Sequence, residues 1–89
     1  MVKARRFLIS GRVQGVGYRY FAERSAHQSG VTGWARNLDD GSVEVYANGT
    51  ADRLDDFESR LRLGPRFADV RSFESTEVAV LELSGFHIR

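Results

Sequence analysis

The sequence predicts an α+β sandwich in which two helices cover one face of an antiparallel sheet. Three observations predict it. Segments with strand-like alternation take turns with segments of helical periodicity in the order β-α-β-β-α-β, and a short strand follows. The two central strands are separated by a short turn, which predicts an antiparallel hairpin. The 89 residues leave room for one domain, which we expect to span residues 1–89.

The first strand and the first helix flank a glycine-rich segment. Residues 5–13 alternate between apolar and polar side chains, which predicts a strand. Residues 11–17 contain three glycines, which are typical of a turn. The apolar spacing of residues 19–29 predicts a helix that ends at Gly30, because glycine readily takes the left-handed conformation that closes helices.

The central hairpin and the second helix follow. Residues 31–38 and 42–48 have strand patterns, and Asp39-Asp40-Gly41 is a typical turn sequence. Thr50 is a good N-cap for a second helix with acidic residues in its first turn. Gly64-Pro65 predicts the end of that helix.

The remaining residues complete the predicted sheet. Residues 68–75 predict a fourth strand, Thr76 and Glu77 a linker, and Phe86 and Ile88 a short last strand. Two split β-α-β units with right-handed crossovers give the ferredoxin-like sandwich, an antiparallel sheet with both helices on one face. This fold hosts many functions, so it does not by itself decide the function.

The composition excludes several classes of chemistry. The absence of cysteine excludes disulfides, thiol nucleophiles and Cys-ligated metal centres. The only histidines, His27 and His87, need carboxylates beside them to hold a metal. No apolar run reaches the roughly 20 residues of a membrane span, and no signal-peptide pattern follows Met1. We therefore expect a cytoplasmic protein without cofactor, metal or membrane contact. We also expect a monomer, although nothing in the composition bears on the oligomeric state.

The charges are unevenly distributed along the chain. The net charge is +1, but residues 1–36 carry +6 and residues 37–89 carry −5. A basic N-terminal half suits an anionic ligand. The alternative is that folding interleaves the two halves and evens out the field.

The glycine-rich turn and Arg19 are candidates for anion binding. Successive N–H groups before a helix, together with the helix N-terminus, can converge on an anion. The turn is not a Walker A loop, because no Gly-Lys-Ser/Thr follows it, and it is not a dinucleotide fingerprint, because Tyr20 occupies the third glycine position. The guanidinium of Arg19 offers a fork of donors to the same space. The alternatives are a purely steric role for the glycines and a solvated surface arginine.

Asn37 and the aromatic residues have competing interpretations. The carboxamide of Asn37 can donate and accept, so it can orient a water molecule, but ordinary turn chemistry is the favoured interpretation of this residue. Tyr18, Tyr20 and Trp34 could stack on nucleic-acid bases, although packing in the core or loop is the favoured interpretation. The third strand offers only Tyr46 as a stacking aromatic, so nucleic acid is not expected.

Two motifs together resemble those of a known family. Residues 11–19 read Gly-Arg-Val-Gln-Gly-Val-Gly-Tyr-Arg, and residues 33–37 read Gly-Trp-Ala-Arg-Asn. The second motif is followed at the expected spacing by three further residues, Gly41, Val43 and Gly49. Both motifs match the acylphosphatase signatures without a gap, and the resemblance covers nearly the whole chain. One departure is that Ile88-Arg89 stand where family members often have an aromatic residue.

The resemblance implies hydrolysis of acyl phosphates to a carboxylate and inorganic phosphate, without metal or covalent intermediate. It implies that Arg19 and the loop amides bind the phosphoryl group and that Asn37 positions the attacking water. The loop residues concerned are Gln14, Gly15, Val16, Gly17 and Tyr18. The expected ligands are a small-molecule acyl phosphate, and inorganic phosphate or another oxyanion in the loop.

The chemistry of the reaction is compatible with these residue types. A carboxylate is a good leaving group, because its conjugate acid ionises at about pH 4, so little general-acid help is needed. Phosphoryl transfer depends mainly on positioning and on stabilising charge on the phosphoryl oxygens. Two alternatives remain: a non-catalytic or regulatory module that binds phosphate or carbamoyl phosphate, and a weak nucleic-acid binder using the arginine-rich half.

Overall fold

The computed structural model describes all residues, 1–89, and its elements follow the predicted order. They are β1 (Lys3–Arg12), α1 (Tyr18–Ser29), β2 (Thr32–Asn37), β3 (Val43–Gly49), α2 (Ala51–Leu63), β4 (Asp69–Val78) and β5 (Phe86–Ile88). The predicted ferredoxin-like α+β class is confirmed. Neither helix has both the length and the apolar character that crossing a membrane requires.

The sheet has the strand order β4-β1-β3-β2-β5. The pairs β4–β1, β1–β3 and β3–β2 are antiparallel, as predicted, but β5 runs parallel to β2, with Phe86 opposite Gly33. The sheet is therefore mixed, and the expectation of an antiparallel sheet holds for four of its strands. The reason is topological. Because β4 and β5 lie at opposite edges of the sheet, the chain crosses between them and enters β5 in the direction of β2.

The expected linker at Thr76 and Glu77 is wrong, because both residues belong to β4. They pair with Arg6 and Arg5, respectively, and β4 continues to Val78. The longer β4 exists because β1 begins at Lys3 and offers it a partner strand at this end. The linker instead comprises residues 79–85.

Residues 79–85 cross the face of the sheet that the helices leave open. The Tyr46 hydroxyl donates to the carbonyl of Ala79 at 2.8 Å and accepts from the Leu81 N–H at 2.7 Å. The Asn48 carboxamide donates to the carbonyl of Leu81. These bonds bring the chain to the edge where β5 pairs with β2.

The hydrophobic core lies between the two helices and the other face of the sheet. The strands contribute alternate residues and the helices one stripe each, as the periodicity predicts. The largest fully buried side chains are Tyr18, Phe7, Phe57, Ile9, Leu54, Leu61, Val13, Val43 and Val45. The predicted helix ends are also confirmed: Thr50 accepts from the Arg53 N–H at 3.3 Å, and Gly30 closes α1 in the left-handed conformation.

Candidate active site

The candidate site is a pocket of about 200 Å³ at the end of the sheet where β1 and β2 finish. It lies beside the loop from β1 to α1. Its lining residues are Val13, Gly15, Gly17, Tyr18, Arg19, Tyr20, Asn37 and Ile88. The parallel direction of β5 brings Ile88 to this end of the sheet. The structure therefore brings Arg19, Asn37 and the glycine-rich loop together, although the loop, α1, β2 and β5 contribute to the pocket separately.

The loop presents an unusual number of free backbone donors. None of the N–H groups from Gln14 to Tyr20 has a backbone acceptor, and the first hydrogen bond of α1 runs from the Phe21 N–H to the Gly17 carbonyl at 3.0 Å. Gly17 provides no capping side chain, and the first turn of α1 contains no acidic residue. Such a helix start favours an anion, through both its unpaired amides and its dipole.

Two glycines give the loop its shape. Gly15 and Gly17 have φ values of +74° and +77°, in the left-handed region. A Cβ added at either position would meet nothing within 4 Å, so the backbone conformation, and not lack of space, requires glycine. Glycine is therefore needed for the backbone conformation of the loop, which is compatible with the loop being a cradle of amides.

The Gln14 side chain lies outside the pocket and joins the loop to the β2–β3 turn. Its Nε2 donates to the carbonyl of Leu38 at 2.8 Å and to that of Ser42 at 2.9 Å. The turn itself is ordered by Asp40, which accepts from the Ser42 N–H at 2.9 Å and from the Ser42 hydroxyl. These bonds lower the pKa of the exposed Asp40 carboxyl below its usual value. The Gln14 side chain thus fixes the loop relative to the turn that follows β2.

Tyr18 anchors the loop to the core and to α2. Its buried hydroxyl donates to the carbonyl of Leu61 at 2.6 Å, and burial raises the pKa of the phenol. In a continuing helix the N–H four residues later would bond to the Leu61 carbonyl, but that residue is Pro65, which has no N–H. Tyr18 therefore satisfies an otherwise orphaned carbonyl of α2, and the predicted packing role of its ring is correct. Val16, also outside the pocket, packs against the same core.

Arg19 is oriented by Arg89, the residue that follows β5. Its Nη1 donates to the backbone carbonyl of Arg89 at 2.7 Å, and the Arg89 N–H donates to the carbonyl of Ala35 at 2.8 Å. The guanidinium has five N–H donors, so this bond leaves others for a ligand. Asn37, the last residue of β2, is exposed at the same pocket, where its carboxamide is open to water.

The charge interleaving left open by the sequence is partly realised. Arg5 pairs with Asp55 at 2.8 Å, and Arg6 and Arg36 both pair with the buried carboxylate of Glu44, the latter at 2.6 Å. Three arginines of the basic half form no ion pair: Arg12, Arg19 and Arg24. The surplus positive charge is thus reduced on the sheet but retained around the start of α1.

Glu44 lies on the open face of the sheet, away from the pocket. Burial by itself would raise the pKa of this carboxyl. The hydrogen bonds from Arg6 and Arg36, and the charges of both guanidinium groups, outweigh burial, so the pKa of Glu44 lies below its usual value.

Sequence reasoning missed three lining residues, Val13, Tyr20 and Ile88. Tyr20 was expected to pack in the core or loop, but this residue is 58% exposed and lines the pocket. Ile88 was expected only as part of a short strand, and it too lines the pocket. The position of Tyr20 directly after Arg19 was the one available signal. No signal existed for Ile88, because its place depends on the parallel pairing of β5.

The fold and the pocket define a small ferredoxin-like protein whose functional groups cluster at the first strand–helix loop. A family model described as Acylphosphatase matches residues 5–88. An acylphosphatase from Solibacter usitatus is 54% identical over 87 residues, covering 98% of this chain and 91% of that relative. The crystal structure of acylphosphatase from Bacillus subtilis matches with a TM-score of 0.93 and 38% identity, covering 100% of this chain and 99% of that chain. The structure of an acylphosphatase from Coxiella burnetii matches with a TM-score of 0.94 and 33% identity, covering 99% and 93%. The chain belongs to the acylphosphatase family, as its motifs indicated, and its function is that of an acylphosphatase, a hydrolase of small-molecule acyl phosphates.

Proposed function

We propose that the pocket carries out the hydrolysis with backbone amides, Arg19 and Asn37 alone. The phosphoryl oxygens bind to the N–H groups of residues 14–18 and to the Arg19 guanidinium. The observation that carries this proposal is the run of N–H groups without a backbone acceptor beside an arginine that forms no ion pair. Inorganic phosphate or another oxyanion would bind in the same cradle.

In the proposed reaction, Asn37 orients a water molecule toward phosphorus. Water attacks, the bond between phosphorus and the acyl oxygen breaks, and the carboxylate leaves with the electron pair of that bond. The proton of the water is lost to solvent or to the phosphate product. Because the carboxylate is a good leaving group, the pocket needs no acid to protonate it. We propose that the protein works as a cytoplasmic, monomeric single domain and needs neither metal nor cofactor.

The expected energetic contributions fit a site of this kind. Holding water and phosphoryl group in line can supply at most about 7–11 kcal/mol of the barrier reduction. Removing one donor that stabilises the developing charge typically costs about 2.7–4 kcal/mol in the activation free energy. We therefore expect Arg19→Ala and Asn37→Ala each to lower kcat by about a hundredfold or more.

The experiment measures hydrolysis of an aromatic acyl phosphate by absorbance, with and without EDTA. Wild type, Arg19→Ala and Asn37→Ala are compared with Arg66→Ala, which removes the same charge from an exposed turn outside the pocket. Thermal unfolding of each variant separates a loss of activity from a loss of structure. Chelator-resistant turnover that is lost only in the two pocket variants would support the proposal.

Near-normal turnover in either pocket variant would contradict the role assigned to that residue. If folded wild type bound phosphate in a calorimetric titration but hydrolysed nothing, the non-catalytic module would be the better interpretation. Binding to nucleic acid that falls linearly with salt on a log–log plot would instead indicate the arginine-rich binder.

A further inference from the structure

The pocket has an apolar side that the phosphoryl group does not need. Tyr20 and Ile88 are among its lining residues, and the two residues are 58% and 42% exposed to solvent. They come from α1 and β5, which are far apart in sequence, and neither is part of the core. Two large, partly exposed residues that line one small pocket offer a surface suited to an apolar ligand group.

The ring of Tyr20 is held in place by Arg24. These residues are four apart on α1, so they share a face of the helix, and the Arg24 side chain leans back toward the N-terminus. Its guanidinium carbon lies 5.6 Å from the ring centroid of Tyr20. Because Arg24 forms no ion pair, no carboxylate draws it away from the ring. The contact restricts the ring before a ligand binds, so less freedom is lost on binding.

The backbone of Tyr20 connects this surface to the proposed phosphate cradle. Its N–H is one of the free donors at the start of α1, and the neighbouring Arg19 supplies the guanidinium. A phosphoryl group held by the N–H groups of residues 14–18 and by Arg19 has its acyl substituent attached through a single oxygen atom. The acyl group therefore begins beside Arg19, the neighbour of Tyr20 in the chain.

We infer that Tyr20 and Ile88 form the acyl-binding part of the pocket and make this protein prefer acyl phosphates with a flat, apolar acyl group. This inference rests on the proposed function of the pocket. Stacking of a flat acyl group on the ring, as in other aromatic pairs, is expected to change KM by about three- to tenfold. A small acyl group such as acetyl gains little from the same surface, because it covers little of the ring.

The test compares kcat and KM for benzoyl phosphate and acetyl phosphate. We expect Tyr20→Ala to raise KM about three- to tenfold for benzoyl phosphate and less than about twofold for acetyl phosphate. The kcat for both substrates, and the inhibition constant of inorganic phosphate, should stay near the wild-type values. Tyr20→Phe should behave as wild type, because it keeps the ring.

A matched control exists in Phe67→Ala. Phe67 is 70% exposed and has the Arg66 guanidinium carbon at 5.6 Å from its ring centroid, but it lies outside the pocket. Its removal should change neither KM. The inference is overturned if Tyr20→Ala raises both KM values equally, if it raises neither, or if Phe67→Ala gives the same split. Wild type that hydrolyses neither substrate would overturn the proposed function as well, so the two failures can be told apart.

Discussion

Replacing Gln14 by methionine should lower both the turnover and the free energy of unfolding. Methionine keeps the length of the side chain but removes the two donors that join the loop to the carbonyls of Leu38 and Ser42. These bonds hold the proposed phosphate cradle at a fixed distance from the end of β2, where Asn37 lies. Their loss lets the two parts of the pocket shift relative to each other.

The structure sets the size of the stability change. Two neutral hydrogen bonds contribute about 1–3 kcal/mol to the free energy of unfolding. Both carbonyls keep another partner, since Leu38 accepts from the Gly41 N–H at 3.2 Å and Ser42 from the Leu38 N–H at 2.8 Å. Neither acceptor becomes an orphan, so we expect the lower part of that range, about 1–2 kcal/mol.

The change in turnover follows from positioning. A misplacement of about 1 Å between reacting groups can cost about a hundredfold in rate. We expect the kcat of Gln14→Met to fall by about ten- to a hundredfold, because the water and the phosphoryl group are held by the two parts that Gln14 joins.

The assay pairs kcat with urea denaturation. The control is Tyr46→Phe, which removes a hydroxyl bonded to Asn48, Ala79 and Leu81 on the far face of the sheet. It should lose at least as much stability and keep its kcat. A kcat of Gln14→Met within about twofold of wild type, or an equal loss in the control, would refute the reasoning.

Two further predictions concern stability. Tyr18→Phe should lower the free energy of unfolding by about 1–3 kcal/mol in urea denaturation, since the buried carbonyl of Leu61 loses its donor and Pro65 cannot replace it. The control is Tyr20→Phe, which removes an exposed hydroxyl. An equal change in both variants would contradict the argument. The pKa of Glu44 is lowered in the folded state, so its ionised form stabilises the fold above the unfolded pKa of about 4.3, and this contribution is lost as the pH falls through the folded pKa. Glu44→Gln should cost about 1–2 kcal/mol at neutral pH, because its two arginine partners are half exposed, and Tm measured down to about pH 3 should fall less steeply than in wild type. If Tm fell in parallel with pH for wild type and Glu44→Gln, the role assigned to the ionised Glu44 would be wrong.

Local pattern was sufficient for the elements and for the central residues of the candidate site. Thr50 and Gly30 mark helix ends through bonds within a few residues, so their roles can be read without knowing the fold. The motif residues Arg19 and Asn37 line one pocket because β1 and β2 run in the same direction and both finish at that end of the sheet. The order of elements, predicted from periodicity, already implied that arrangement.

Contacts between residues distant in sequence could not be predicted from the local pattern. Three features depend on residues distant in sequence. They are the direction of β5, the extension of β4 to Val78, and the hydrogen bond from the Gln14 side chain to the β2–β3 turn. Nothing in the alternation of a strand specifies which edge it joins, and nothing in a glutamine side chain specifies which carbonyls it reaches.

The sequence by itself determined the elements, the family and the candidate residues Arg19 and Asn37, because periodicity, capping and motif spacing are properties of neighbouring positions. Only the tertiary structure decided that Tyr20 is exposed at the pocket, that Ile88 is another of its lining residues, and that Arg89 orients Arg19. The physical reason is that exposure and contact are set by which surfaces pack together after the chain has crossed the sheet.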